Sequence, residues 1–205
     1  MAFYSKVVKR GLDILLSFLG LVVLSPAFGG IALAVKVGSK GPVFFRQERV
    51  GAHGRTFEMI KFRTMRVDSP HNTPTDKLKR PDRWITRTGH FLRRTSLDEL
   101  PQLWNILRGD MSVVGPRPAL PKQKNLLKAR QQYGANDIRP GLTGWAQING
   151  RDTLSDAQKA QMDGEYVRRM SFGFDCICFF KTIGCVLREK GFAEGKAQKE
   201  RDEAS

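Results

Sequence analysis

The chain has 205 residues, 40% hydrophobic and 27% charged, which is room for one globular domain with appendages and excludes an array of several domains. Lys and Arg number 35 against 20 Asp and Glu, a formal charge of +15 that attracts phosphates of any kind, in nucleic acid, anionic lipid or nucleotide, without choosing among them. Cys176, Cys178 and Cys185 are odd in number and clustered in an apolar stretch, which excludes a disulfide framework or a four-ligand zinc site and reads as reduced thiols in a cytosolic setting.

The first predicted element is apolar. From Ile14 to Val35 runs ILLSFLGLVVLSPAFGGIALAV, without a charge, long enough at ~1.5 Å per residue to cross a ~30 Å hydrocarbon core as a straight helix. Ala32-Leu33-Ala34 resembles a signal-peptide cleavage site, but the run is too long for a typical signal peptide. A plain transmembrane helix must absorb Ser25-Pro26 at its middle and Gly29-Gly30 after it, where proline removes a backbone hydrogen bond and favours a bend. A re-entrant helix-break-helix uses that break, its halves entering and leaving by one face. Lys6, Lys9 and Arg10 precede the segment and Lys36, Lys40, Arg46 and Arg49 follow it. The positive-inside rule finds no asymmetry there, so both flanks read as cytoplasmic and the re-entrant form is favoured.

Val43 to Val50 and Phe57 to Met65 are β-prone runs around AHGRT, which predicts a hairpin. Residues 66–83 are polar and proline-bearing, a surface loop. Leu97, Leu100, Leu103, Trp104 and Leu107 recur at helical spacing until Gly109-Asp110, predicting an amphipathic helix. Helices are also expected over 120–133 and 154–170, while Arg139 to Arg151 (RPGLTGWAQINGR) reads as loop. Ser171 to Leu187 is apolar but carries Asp175 and Lys181, which suits a helix at a membrane interface or an ordinary buried one. The tail, 189–205, lacks an apolar period and is expected to be disordered.

The sharpest candidate for chemistry is Arg93-Arg94-Thr95-Ser96-Leu97-Asp98-Glu99. Locally, Ser96-x-x-Glu99 matches a capping box, and acidic residues in a first turn favour the helix dipole. Adjacent helical residues project about 100° apart, so Asp98 faces away from Leu97, Leu100, Trp104 and Leu107. There it is a cap, a divalent-metal ligand or a nucleophile toward phosphorus, with Glu99 serving the metal or a proton. Arg117, set between prolines in Gly115-Pro116-Arg117-Pro118, suits a fork onto phosphate. Lys61 and Arg63 share a face of a predicted strand, and Arg139 and Arg151 bracket a glycine-rich loop whose amides are candidates to approach a pyrophosphate. GxxxxGK[ST], HExxH and the aromatic RNP pattern are absent, and His53, His71 and His90 lack paired spacing.

KFRTM (61–65), RRTSLDELPQLWNILRGDMSVVGPRP (93–118) and RPGLTGWAQINGR (139–151), in that order behind a Ser-Pro-broken apolar segment, closely resemble the bacterial sugar transferases, or monotopic phosphoglycosyl transferases. The likeness runs from Phe3 to Leu187. It implies an α+β, mostly helical, monotopic membrane protein with a small β-hairpin and interfacial amphipathic helices. Residues 1–40 are then a re-entrant membrane helix broken at Ser25-Pro26, and 41–188 a catalytic domain on the cytoplasmic face of the bacterial inner membrane. The resemblance further implies that Asp98 attacks the sugar-linked phosphate of a UDP-sugar, releasing UMP and leaving a phosphosugar-aspartyl intermediate. A polyprenyl phosphate, undecaprenyl in kind, then attacks that intermediate. Mg²⁺ on Asp98 and Glu99, with Arg93 and Arg117 foremost among the phosphate ligands, would neutralise the transferring phosphoryl group. Lys61, Arg63, Arg139 and Arg151 complete the expected set. The chain lacks the additional N-terminal transmembrane region of larger members and so reads as a minimal catalytic form. Sugar, glycan pathway and oligomeric state, homo-oligomers included, stay open. Two rivals fit less well: the acidic pair is hard to place in the groove of a membrane-tethered nucleic-acid-binding protein, and a membrane-anchored basic scaffold has no need of basic residues grouped around that pair, so no nucleic-acid partner is expected.

Overall fold

The computed structural model describes residues 4–69, 83–150 and 153–187. A π-helical turn, Tyr4–Val8, leads into α1 (Lys9–Val23) and α2 (Ser25–Gly38), which meet at a 63° bend. The bend is written in Ser25-Pro26. Pro26 has no N–H to give the Val22 carbonyl, and Ser25 Oγ donates to that carbonyl instead at 2.7 Å, so the break does not orphan it. Among the described residues no single helix is long and apolar enough to cross a membrane; only the bent pair taken together meets that measure.

α1 is polar where it is buried and apolar where it is exposed. Lys9, Asp13 and Ser17 form its buried face at i, i+4 spacing, while Leu15, Phe18, Leu19 and Val23 stand in the open. Asp13 accepts from Ser112 Oγ at 3.1 Å and Val113 N at 2.9 Å, and Ser17 returns its hydroxyl to Asp13 O. α2 leaves Leu33 and Val37 exposed and packs Phe28, Ile31 and Val35 against Phe62 and Leu92.

β1 (Phe44–Val50) and β2 (Thr56–Phe62) form the expected antiparallel hairpin, with Phe45 opposite Lys61 and Arg49 opposite Phe57. Alternation turns Phe45, Gln47 and Arg49 to one face of β1. α3 (Arg87–Arg94) starts at Thr86, whose Oγ1 accepts from Gly89 N at 2.9 Å. The helix predicted from Leu97 is divided into a 3-10 turn, Leu97–Glu99, and α4 (Gln102–Arg108). Pro101 is the reason, since it has no N–H with which to continue a ladder from the turn. Gly109, at φ 98°, ends α4 as its position predicts, and Arg10 donates to the last-turn carbonyls of Ile106 and Leu107.

β3 (Ser112–Val114) and β4 (Gly141–Thr143) pair in parallel, with α5 (Lys124–Gln131) between them in sequence. β4 and the short α6 (Trp145–Ile148) give regular structure to a segment read as loop. α7 (Asp156–Arg169) opens on a full capping box at Ser155, and α8 (Phe172–Leu187) closes the described chain. α8 is packed on one face and open on the other: Phe174 and Cys178 pack on Tyr166 and Val114, while Ile177, Phe180 and Ile183 are exposed. Asp175, the charge that made this segment awkward, accepts from Tyr4, Lys9 and Tyr166, each at 2.6 Å. The architecture is α+β and mostly helical, and the cysteines are free thiols. The tail, 189–205, lies outside the described residues, as does most of the predicted 66–83 loop.

Candidate active site

The end of β2, the acidic turn and the 115–118 loop meet at Asp98. Asn105, 1% exposed, accepts from Ile60 N at 3.1 Å and donates to Glu58 O at 2.8 Å, which pins α4, and the turn before it, to an edge of β2. Ser96 sits in the left-handed region at φ 56° and makes no side-chain cap. The expected Ser96-Glu99 capping box is therefore not formed, because an N-cap needs an extended backbone. The left-handed turn instead reverses the chain between α3 and the acidic pair.

Asp98 is 6% exposed. Burial pushes its carboxyl up to about 6, Glu99 adds to the rise, and Lys61, Arg93 and Arg117 pull against it. Burial likewise pushes Lys61 down to about 8, opposed by Asp98 and reinforced by Arg93 and Arg49; its Nζ lies 5.5 Å from the centre of the Phe45 ring. Arg117 Nη2 donates to Glu99 Oε1 at 2.9 Å. Arg93 is buried and its Nε donates to Thr64 Oγ1 at 2.9 Å. The two acids thus occupy different settings, Glu99 in an ion pair and Asp98 buried among cations.

The loop carrying Arg117 is held from both sides. Arg49 Nη1 donates to Pro118 O and Arg130 Nη1 to Arg117 O, each at 2.9 Å. Arg130 is itself fixed by a buried pair with Asp163 at 2.7 Å. Of the amides in the glycine-rich loop, that of Gly141 is taken up within the fold: Gly141 N donates to Pro116 O, while across from it Gly115 N donates to Thr143 O. These glycines bring two backbones together, since a Cβ on Gly144 would lie 2.0 Å from Gly115 O.

Of the residues singled out in sequence, Lys61, Arg93, Asp98, Glu99 and Arg117 are brought together. Arg63 is not: β2 ends at Phe62, and the Arg63 guanidinium turns to the Ser39 and Lys40 carbonyls beyond α2. Arg139 is drawn to Gly109 O at 2.9 Å, at the far end of α4. Arg151 lies outside the described residues. Arg49 is the cation that sequence reading placed only as a flanking charge; burial pushes it down to about 10, with Arg117 adding and Glu99 opposing. Its alternation with Phe45 and Gln47 was the available signal. Asp98 and Glu99 are the two carboxylates at this point, with Glu99 Oε1 taken up by Arg117, so together they offer hard oxygen donors but too few to enclose a divalent cation unaided. Among the described residues no group of three or more His, Cys, Asp or Glu gathers, so an all-protein cage is absent there.

Against Asp98 and Glu99 stand Arg49, Lys61, Arg93 and Arg117, an excess of positive charge around a buried carboxylate. Such a site has the charge to receive an anionic, phosphate-bearing group. The chain belongs to the bacterial sugar transferase family, whose model matches residues 4–189. It is 43% identical over 194 residues to a UDP-glucose:undecaprenyl-phosphate glucose-1-phosphate transferase of Xanthomonas campestris pv. campestris, covering 91% of this chain and 40% of that protein. It is 44% identical over 186 residues to the protein of the same description from Escherichia coli strain K12, covering 87% of this chain and 40% of the relative. The chain therefore spans about two fifths of these curated relatives. The exopolysaccharide production protein ExoY of Sinorhizobium fredii, 38% identical, is matched over 87% of its own length.

Proposed function

We propose that the protein transfers a sugar-1-phosphate from a UDP-sugar to a polyprenyl phosphate at a membrane surface, releasing UMP and initiating assembly of a membrane glycoconjugate. The observation that carries this is Asp98, a carboxylate buried among Lys61, Arg93 and Arg117. An Asp98 oxygen attacks the sugar-linked phosphorus, and the bond from that phosphorus to the bridging oxygen breaks as UMP leaves. An oxygen of the lipid phosphate then attacks the same phosphorus, expelling the Asp98 carboxylate and giving a polyprenyl diphosphosugar. Removal from water raises the energy of the attacking carboxylate, and the cations offset charge gathering on the phosphoryl oxygens. Glu99 keeps the Arg117 guanidinium aimed through their 2.9 Å bond. Mg²⁺ on the acidic pair would add charge neutralisation at the transferring group.

The names of the Xanthomonas and Escherichia relatives support UDP-glucose as a donor and undecaprenyl phosphate as the acceptor. The inside-out α1 and the bend at Ser25-Pro26 support a re-entrant seat in the inner membrane with the site on the cytoplasmic face. The test is detergent-solubilised protein with Mg²⁺, undecaprenyl phosphate and a panel of UDP-sugars. UMP is the expected product; release of UDP would mean glycosyl transfer and overturn the chemistry. With the acceptor withheld, intact-mass analysis should show a phosphosugar adduct on the wild type and none on Asp98→Asn. An adduct that survives the substitution moves the nucleophile elsewhere.

A further inference from the structure

Beside Glu99 and Arg117 opens a cavity of about 190 Å³ whose other walls are largely apolar, among them Val113, Leu142, Phe179 and Ile183. Ser96 and Arg94 stand with Glu99 and Arg117 at one end, and the two threonine hydroxyls farther along the wall are already engaged. Thr143 shares a hydrogen bond with Thr182, and Thr182 donates to Cys178 O at 2.7 Å. Gln147 turns its Nε2 to Leu142 O, leaving Oε1 buried and without a partner. Phe179 and Ile183 belong to two surfaces at once, since they line the cavity and remain 41% and 43% exposed. The next residues on that outer face, Ile177 and Phe180, are exposed as well. The space thus has a charged end at Arg94, Glu99 and Arg117, where the cations outnumber the acid, and an apolar end that continues along the outside of α8, the shape required by an amphiphile with an anionic head.

We infer that this cavity holds the phosphate-proximal prenyl units of the acceptor lipid, with its phosphate at the Glu99-Arg117 end and the rest of the chain lying along α8. The inference rests on the reading of the protein as a polyprenyl-phosphate transferase and adds where the chain lies. At about 190 Å³ the space is on the scale of the start of a prenyl chain rather than the whole of it. Beyond the charged end a sugar ring suits the walls poorly, because it would bury hydroxyls against Val113, Leu142, Phe179 and Ile183 with Gln147 Oε1 as the buried acceptor left over there.

Ile183→Trp, which fills the space from α8, tests this in steady-state assays on the full chain with UDP-glucose and undecaprenyl phosphate. The KM for the lipid should rise by about tenfold or more, as expected for lost burial of a few methylenes, while the KM for UDP-glucose stays put. A rise in the UDP-glucose KM alone assigns the cavity to the sugar and overturns the inference; unchanged constants overturn it too. If the variant does not fold, an undecaprenyl phosphate analogue with a diazirine on its first prenyl unit decides on the wild type. Crosslinks to the peptide carrying Phe179 and Ile183 support the assignment, and crosslinks confined to other peptides refute it. A wild type that transfers phosphosugar to the lipid but gives neither result keeps the functional reading and loses only this site, whereas one that turns over no UDP-sugar removes both.

Discussion

At the scale of single residues, Asp98 is held in a form the fold disfavours. Its folded carboxyl titrates at about 6, above the ordinary 3.8, so the charged form is the destabilised one. The stability it contributes is present below the ordinary value and lost as pH rises through about 6. Asp98→Asn, neutral throughout, should therefore be more stable than wild type at about pH 8 by on the order of 2 kcal/mol, with the gap closed near pH 4, in denaturant titrations at the two pH values. An equal gap at both would show that ionisation is not the cause. Turnover should follow a bell, rising as Asp98 ionises through about 6 and falling as Lys61 loses its proton above about 8. The acidic pair, Arg93 and Arg117 were legible because they crowd short motifs. Arg63 and Arg139 were not, because each answers a carbonyl brought near only by the fold.

At the scale of elements, Ser25-Pro26 is the clearest case of sequence dictating shape. Pro26→Ala returns the missing N–H to the Val22 carbonyl and should relax the 63° bend, lengthening the distance between spin labels at Ile14 and Val37 in a pulsed magnetic resonance measurement. An unchanged distance would place the cause of the bend in packing around Leu24. The Arg130-Asp163 pair joins α5 to α7 and steadies the Arg117 loop. Asp163→Ala strands a buried guanidinium and should cost about 3–5 kcal/mol in urea unfolding. The hairpin and α7 follow their local patterns. The helix from Leu97 was drawn too long because apolar spacing runs through Pro101 without registering its missing N–H, and β4 escaped notice because its partner β3 lies far away in sequence.

At the scale of the molecule, the outward faces of α1, α2 and α8 carry Leu15, Phe18, Leu19, Leu33 and Phe180 exposed, more apolar surface than water favours. The protein should sediment with membranes and resist alkaline carbonate, and Leu15→Lys with Leu19→Lys should move it to the supernatant. Cysteines introduced at Lys6 and Lys40 should label from the same side of sealed vesicles; labelling from opposite sides would refute the re-entrant seat. The buried polar stripe of α1 also sets a timetable. Lys9 finds Asp175 across 166 positions of chain, so during synthesis the first helix cannot complete its buried polar face until residue 175 has left the ribosome. A chain cut before α8 would have to leave the Lys9 end of α1 in water rather than bury it, so the first helix docks fully only with the last described one.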